Sequence, residues 1–238
     1  MSIQEITDHQ LESKKDYDYF STRVLKVIHH TRDIFELHLE RKNLEFSPGE
    51  FISIYTPTLE DFREYSIASG IHDDHLSFLI KHLQKGLLTD FLASRQKGDV
   101  ITIGKPQGIF RPGLSHQQGE FIFIATGTGI APFLSYIKSY PAKPPSKFLY
   151  GVRYRKEAIN FEVFQSLCPS YLTVSREDFP PFHKGRVTDL LSLLPLHQNV
   201  HYYLCGLDSM IADVTQMLKS HHVSVGQIHH EIFFYSKP

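Results

Sequence analysis

From residue 120 onward, the chain alternates between runs that are apolar at nearly every position and runs with helical spacing. EFIFIAT, KFLYGVRY, YLTVSRE, HYYLCGL and IHHEIFFY are of the first kind. IAPFLSYIKSY, AINFEVFQSL, VTDLLSLL and SMIADVTQMLKSHH are of the second. A strand that is apolar on both faces must be covered on both faces. The alternation therefore predicts a parallel sheet with helices on either side, a doubly wound α/β domain.

Residues 20–113 follow another pattern. FSTRVLKVIHH, IFELHLE, FISIYTP, REYSIAS, HLSFLIKHL and VITIGKP are short β-rich runs, and SPGE and GKPQG carry turn chemistry between them. One helical run, LLTDFLASR, interrupts them. This predicts a small antiparallel β-barrel. The polar stretch SHQQG, 115–119, marks the change of pattern. The expected organisation is a flexible leader over 1–16, a barrel over 17–115 and the α/β domain over 116–238.

Composition then removes function classes. With 41% hydrophobic and 21% charged residues in 238, the chain is globular. A net charge of −1 argues against a nucleic-acid binder. No apolar run approaches the ~20 residues of a membrane helix, and the first residues lack the apolar core of a signal peptide. The two cysteines, Cys168 and Cys205, form no CxxC cluster, which points to a reducing compartment and a cytoplasmic protein. The 15 histidines show no metal-ligand spacing, and adjacent residues on a strand point to opposite faces, so no metal is expected.

In an open α/β sheet, ligands bind outside the carboxyl ends of the strands. Those tips are ATGTGIAP, GVRY, VSRE and LCGLDSM. Gly127, Thr128 and Gly129 stand between a buried strand and a helix start. Backbone N–H groups there can approach a pyrophosphate. The turn is neither GxGxxG nor a P-loop, and by itself it reads equally as a tight strand-to-helix connection. Upstream, FREYSIASG sets charge into a strand and then shrinks the side chains at Ser66, Ala68, Ser69 and Gly70, as if something lay close to the backbone.

Taken in order, Arg63-x-Tyr65-Ser66, Gly86-x-x-Thr89, Gly127-Thr128-Gly129-x-Ala131-Pro132, Cys205-Gly206 with Met210, and Glu231-x-Phe233 form a specific series. It resembles the ferredoxin–NADP(+) reductase family, over roughly residues 20–235. GKPQGIF resembles a further family segment, with Lys105 inserted before Pro106.

The resemblance implies roles. Arg63 would hold flavin phosphate, Tyr65 would pack on the isoalloxazine and Ser66 would reach toward N5. Ser66 points away from Arg63 and Tyr65 unless the strand bends. Gly86, Leu87, Leu88 and Thr89 would present backbone N–H groups to a pyrophosphate, which fits FAD better than FMN. Arg153, Ser175, Arg176 and Arg186 lie on neighbouring tips. An arginine suits a 2′-phosphate, so NADPH is expected over NADH. Cys205 matches a cysteine beside the nicotinamide, with Asp208 and Met210 on the same turn. Glu231 would join Ser66 and Cys205 around the flavin. Phe233 would stack on the ring, with Phe234 or Tyr235 as alternatives because the chain runs five residues past Phe233.

The expected activity is an FAD-dependent reductase exchanging electrons between NADPH and ferredoxin or flavodoxin, in either direction. Docking would use a basic patch drawn from Lys81, Lys85, Arg95, Lys97 and Lys105. The alternatives are the reductase component of an oxygenase, a non-catalytic electron-transfer subunit, or a binding protein with no redox role. Neither nucleic acid nor membrane is expected as a partner, and the chain is expected as monomer or homodimer.

Overall fold

The computed structural model describes residues 19–83, 86–196 and 199–234. The leader 1–16, Lys85 and Tyr235 lie outside the described residues.

The first half is antiparallel. Strands β1 (Tyr19–Thr31), β2 (Ile34–Glu40), β3 (Phe51–Tyr55), β4 (Phe62–Ser66), β5 (His75–Lys81) and β6 (Val100–Gly104) form one sheet in the order β4-β3-β6-β1-β2-β5. The 13-residue β1 pairs with β6 through its first part and β2 through its second, with register irregularities that let it curl. Just past β4, Ile67 N–H bonds to Glu50, and then Ala68 N–H bonds to Ser77 of β5 at 2.8 Å. The chain thus steps from one edge of the sheet to the other and draws it into a barrel. Alternate positions fill the interior, including Leu37, Leu39, Ile52, Ile54 and Ile103. Helix α1 (Leu87–Ala93) inserts Leu88 and Leu92 into the same core.

The second half is parallel. Strands β7 (Glu120–Thr126), β8 (Lys147–Val152), β9 (Ser170–Val174), β10 (His183–Lys184), β11 (Val200–Leu207) and β12 (Ile228–Phe234) pair in the order β10-β9-β8-β7-β11-β12. The period of two assigns the faces. Phe121, Phe123 and Ala125 of β7 enter the core on one side with Tyr203 and Cys205. Ile122 and Ile124 enter the other core with Tyr202 and Leu204. After helix α2 (Leu114–Gln117), helices α3 (Ala131–Ser139) and α4 (Phe161–Gln165) cover the first face and α5 (Asp208–Ser220) covers the second. Each buried Phe or Leu contributes about 1.5–3 kcal/mol to this arrangement. Among the described residues, no helix is long and apolar enough to cross a membrane.

Three elements depart from the sequence expectation. The run AINFEVFQSL is helical only over Phe161–Gln165, because Asn160 takes a left-handed conformation at φ 58° and delays the start. VTDLLSLL forms a 3-10 helix over Val187–Leu193 rather than an α-helix. Its first residues, Val187 and Thr188, are β-branched, and Pro195 ends the run. SHQQG, read as a polar connection, contributes to α2.

Candidate functional site

Two cavities open side by side where the barrel meets the carboxyl ends of the parallel strands. One, of about 670 Å³, lies against the barrel; the other, of about 740 Å³, lies over the sheet. Lys81, Thr128 and Phe234 line both, so the cavities meet there. Both sizes are in the range of about 300–1,000 Å³ usual for cofactor sites.

The barrel cavity gathers most of the residues singled out in the first half and at the end of the chain. Arg63, Tyr65, Ser66, Gly86, Leu87, Leu88, Thr89, Glu231 and Phe233 all line it. Ser66, the last residue of β4, reaches the same cavity as Tyr65 because the chain turns there from β3 toward β5. Its Oγ donates to Glu231 Oε1 of β12 at 3.3 Å, across 165 positions of sequence. Glu231 Oε2 is buried and has no partner among the described residues. Burial pushes the Glu231 carboxyl up to about 7, with the Ser66 hydrogen bond opposing it. Burial also pushes the Tyr65 phenol up to about 12.

Arg63 is 61% exposed and pairs with Asp61 at 2.5 Å, not with its neighbour Glu64. Asp61 also lines the cavity. In the sequence it stands only as an acidic residue two positions before Arg63. Thr89 is not the helix cap. Its hydroxyl donates to the Gly86 carbonyl at 3.0 Å and accepts from Leu83 N–H at 3.3 Å. A Cβ on Gly86 would lie 2.6 Å from that hydroxyl, so the glycine is required by its own loop.

The small residues after Ser66 serve the domain interface. A Cβ on Gly70 would come within 3.0 Å of Lys138 Cβ and 3.2 Å of its backbone carbon, on α3. Ile71 N–H bonds to Ser139 Oγ at 3.0 Å. What lies close to the backbone here is the other domain.

Over the sheet, the second cavity is lined by Gly127, Thr128, Arg153, Ser175, Arg176, Arg186 and Met210. The two glycines of the first tip do different things. Gly127 has φ 56° and a Cβ there would meet open space, so it leaves backbone bare toward the cavity. Gly129 does not line the cavity; its Cβ would stand 2.4 Å from the Cys205 carbonyl oxygen. Gly129 therefore permits the close approach of β11.

The arginines also separate. Arg153 is held by Glu157, with Nη2 to Oε1 at 2.5 Å and Nε to Oε2 at 3.3 Å, and Asp33 lies 3.7 Å away. Arg176 and Arg186 have no ion pair among the described residues. Glu177, the obvious partner for Arg176, accepts from the Arg155 backbone N–H. Ser175 Oγ is turned to the Val152 carbonyl at 3.2 Å.

Cys205 and Asp208 line neither cavity. Cys205 is fully buried in β11, opposite Glu231 in the strand register, and burial pushes its thiol well up. Asp208 Oδ1 accepts from Ser209 N–H at 2.6 Å at the start of α5. Lys81, assigned by sequence to an outer docking patch, stands instead at the seam, its Nζ 5.3 Å from the Phe234 ring centroid. Arg95 pairs with Asp99 at 3.4 Å and lies 4.3 Å over Phe91.

The arrangement fits a two-part aromatic nucleotide. Tyr65, Phe233 and Phe234 can flank a ring, Arg63 can pair with phosphate, and the Glu231 carboxyl supplies one unsatisfied polar atom inside. Comparison with known proteins agrees. Residues 22–111 match the model of the oxidoreductase FAD-binding domain and 123–216 that of the oxidoreductase NAD-binding domain. The toluate 1,2-dioxygenase electron transfer component of Pseudomonas putida is 30% identical over 201 residues, 80% of this chain and 59% of that protein. Methane monooxygenase component C of Methylosinus trichosporium is 33% identical over 63% of this chain and 47% of its own length. The chain thus spans about half to three-fifths of these two relatives. A ferredoxin–NADP reductase of Azotobacter vinelandii is 29% identical, covering 82% of this chain and 87% of that one. Among solved structures, a ferredoxin NADP+ reductase from Neisseria gonorrhoeae with bound FAD and NADP superposes with a TM-score of 0.81 at 22% identity, over 91% and 99% of the two chains.

Proposed function

The chain belongs to the ferredoxin–NADP(+) reductase family, and on that premise we propose that it is an FAD-dependent reductase that exchanges electrons between NADPH and a ferredoxin or flavodoxin. The observation that carries the reading is the meeting of the two cavities at Lys81, Thr128 and Phe234, beside the Ser66–Glu231 contact. Bound there, FAD would take a hydride from the nicotinamide and release electrons one at a time.

The chain's own residues would do the rest. Arg63 would exchange Asp61 for a flavin phosphate, a charge-assisted contact of the same kind. The backbone of Gly86, Leu87, Leu88 and Thr89 would border the pyrophosphate, and Tyr65 would flank the ring. Ser66 Oγ and Glu231 would hold a proton near the reacting edge, since a carboxyl titrating near 7 can both give and take one. Phe233 and Phe234 would exclude water until the nicotinamide enters. Cys205 is fully buried and lines neither cavity, so it would support the site from behind Glu231 rather than touch a bound ring.

For the dinucleotide, Gly127 and Thr128 would meet the pyrophosphate. Ser175, Arg176 and Arg186 would meet the 2′-phosphate. Arg153 would orient the tip through Glu157 and add little to the phosphate charge. A cytoplasmic location and a domain junction near 115–116 belong to the same proposal.

A second reading, the reductase component of an oxygenase, is favoured by the names of the dioxygenase and methane monooxygenase relatives. The test for both begins with the visible spectrum of the purified chain and anaerobic titration with NADPH and, separately, NADH. Flavin bleached faster by NADPH supports the proposal. Equal bleaching by NADH removes the 2′-phosphate assignment, and no flavin after incubation with FAD removes the whole reading. Reduction of an added ferredoxin or flavodoxin then separates the first reading from the second.

A further inference from the structure

At the opposite end of the parallel sheet from the cavities, three histidines from distant parts of the chain come together. His116 is on α2, His201 is the second residue of β11 and His229 the second of β12. One ring nitrogen of each lies within 4.8 Å of the other two. We infer that His116, His201 and His229 form a binding site for a borderline divalent transition-metal ion of the zinc, cobalt or nickel type.

The geometry comes from the sheet. β11 and β12 are parallel neighbours, with Tyr203 opposite His229. Residues at i and i+2 share a face, so His201 and Tyr203 of β11 project beside His229. His201 Nδ1 and His229 Nε2 are 3.1 Å apart. Two imidazole nitrogens bound to one tetrahedral ion at 2.0–2.1 Å stand about 3.3 Å from each other. The pair is hydrogen-bonded in the structure, and it has ligand spacing without movement of the strands once the bridging proton passes to the far nitrogen of its ring. His116 closes the third side, its ring stacked on His201 at 3.5 Å and 17°. Ligation by all three requires His116 to tilt out of that stack. It sits on a four-residue helix, the least constrained of the three supports.

The surroundings suit neutral imidazole ligands. His116 Nδ1 contacts the Tyr203 hydroxyl at 2.6 Å. With the imidazole donating, its Nε2 keeps a lone pair for a metal, the outer-shell arrangement common at such sites. Tyr203 also stacks on His229 at 4.5 Å and 19°, which fixes that ring. Burial lowers the basicity of all three rings. Imidazole nitrogen selects metals of this class over calcium and magnesium. None of the three lines either cavity, so the site stands independently of the redox reading.

No sequence motif signals this site, and no metal was expected. The spacing 116–201–229 matches no ligand motif, and adjacent histidines such as His229–His230 diverge on the strand.

The test uses the tag-free full chain, titrated with zinc ions by calorimetry and with cobalt(II) by visible absorption. The expected result is one equivalent bound, with a cobalt ligand-field band and a raised unfolding temperature. His116→Ala and His229→Gln should each weaken binding by roughly tenfold or more. Replacing the exposed pair His221 and His222 by alanine should leave it unchanged. Unfolding curves without metal report whether each variant folds, and if His229→Gln does not, the α2 variant His116→Ala decides. Absence of a stoichiometric site, or binding that survives both trio substitutions, would overturn the inference.

Discussion

The two cavities are close in size, about 670 and 740 Å³, yet the chain builds them differently. The barrel cavity takes its ring-flanking and acidic side chains from two strands, Tyr65 and Ser66 on β4 and Glu231, Phe233 and Phe234 on β12, with the loop residues Thr56, Thr58 and Asp61 at its edge. The sheet cavity lies over the strand ends, where bare backbone at Gly127, the start of α5 and the arginines Arg153, Arg176 and Arg186 line it. A wall of strand-borne side chains presents a fixed shape, which suits a resident cofactor. A wall of loop tips and flexible cations suits a ligand that enters and leaves. The difference also sets what mutation does. On the barrel side it should change retention of the flavin, and on the sheet side it should change selectivity or stability.

The largest effect expected is at the sheet side, and it would sharpen the contrast between its two glycines. Gly129→Ala should cost about 3 kcal/mol or more of stability, because its Cβ would meet the Cys205 carbonyl at 2.4 Å, between two backbones that cannot both move. Gly127→Ala should cost only about 1–2 kcal/mol, the strain of a left-handed residue facing open space. Thermal unfolding of the two variants measures the gap, and equal losses would break the distinction.

Next in size is Arg63→Ala. Loss of a charged hydrogen bond to phosphate, about 1.5–3 kcal/mol, should weaken FAD retention by roughly ten- to a hundredfold. Flavin content after gel filtration reads it out. Binding of 2′-phosphorylated nucleotide to the sheet cavity should be unchanged.

Glu231 belongs by strand to one domain and by position to the other's cavity, and its effect follows pH. Its folded pKa, about 7, lies above the ordinary carboxyl value, so the native state binds the extra proton between about 4.5 and 7. Its contribution to stability is complete below about pH 4.5 and is lost as pH rises through 7. Glu231→Gln should thus match the wild type near pH 4.5 and exceed it by roughly 2–3 kcal/mol at pH 8, in the flavin-free protein. Urea unfolding of both proteins at the two pH values checks the sign, and a wild type more stable at pH 8 would contradict it.

The smallest effect separates the arginines. Arg176→Ala should lower the preference for NADPH over NADH by about tenfold, roughly 1.4 kcal/mol, with NADH turnover unaltered. Arg153→Ala should reduce both together, since Arg153 is tied to Glu157 and would act on the shape of the tip. Steady-state kinetics with each nucleotide distinguish them.

Much of this was legible in the sequence. The all-apolar strands and intervening helices required a parallel sheet covered on both faces. The order of Arg63, Gly86, Gly127, Cys205 and Glu231 motifs indicated the family. The misreadings have local causes. AINFEVFQSL has helical spacing, but Asn160 occupies a left-handed conformation that spacing does not reveal. Lys81 looks like any surface lysine at the end of a strand, and only the packing of β12 against β5 turns it into a seam residue.

The sequence by itself determined the two strand patterns, most of the elements and the order of the motifs, because periodicity and turn chemistry act between residues a few positions apart. Tertiary structure alone decided which groups meet. It set Ser66 against Glu231, gave Arg153 to Glu157 while leaving Arg176 to the cavity, made Gly129 a packing residue and Gly127 an open one, and gathered His116, His201 and His229. Those outcomes depend on which strand becomes whose neighbour and how far its backbone can approach. Distances of that kind are fixed only when the whole chain has packed.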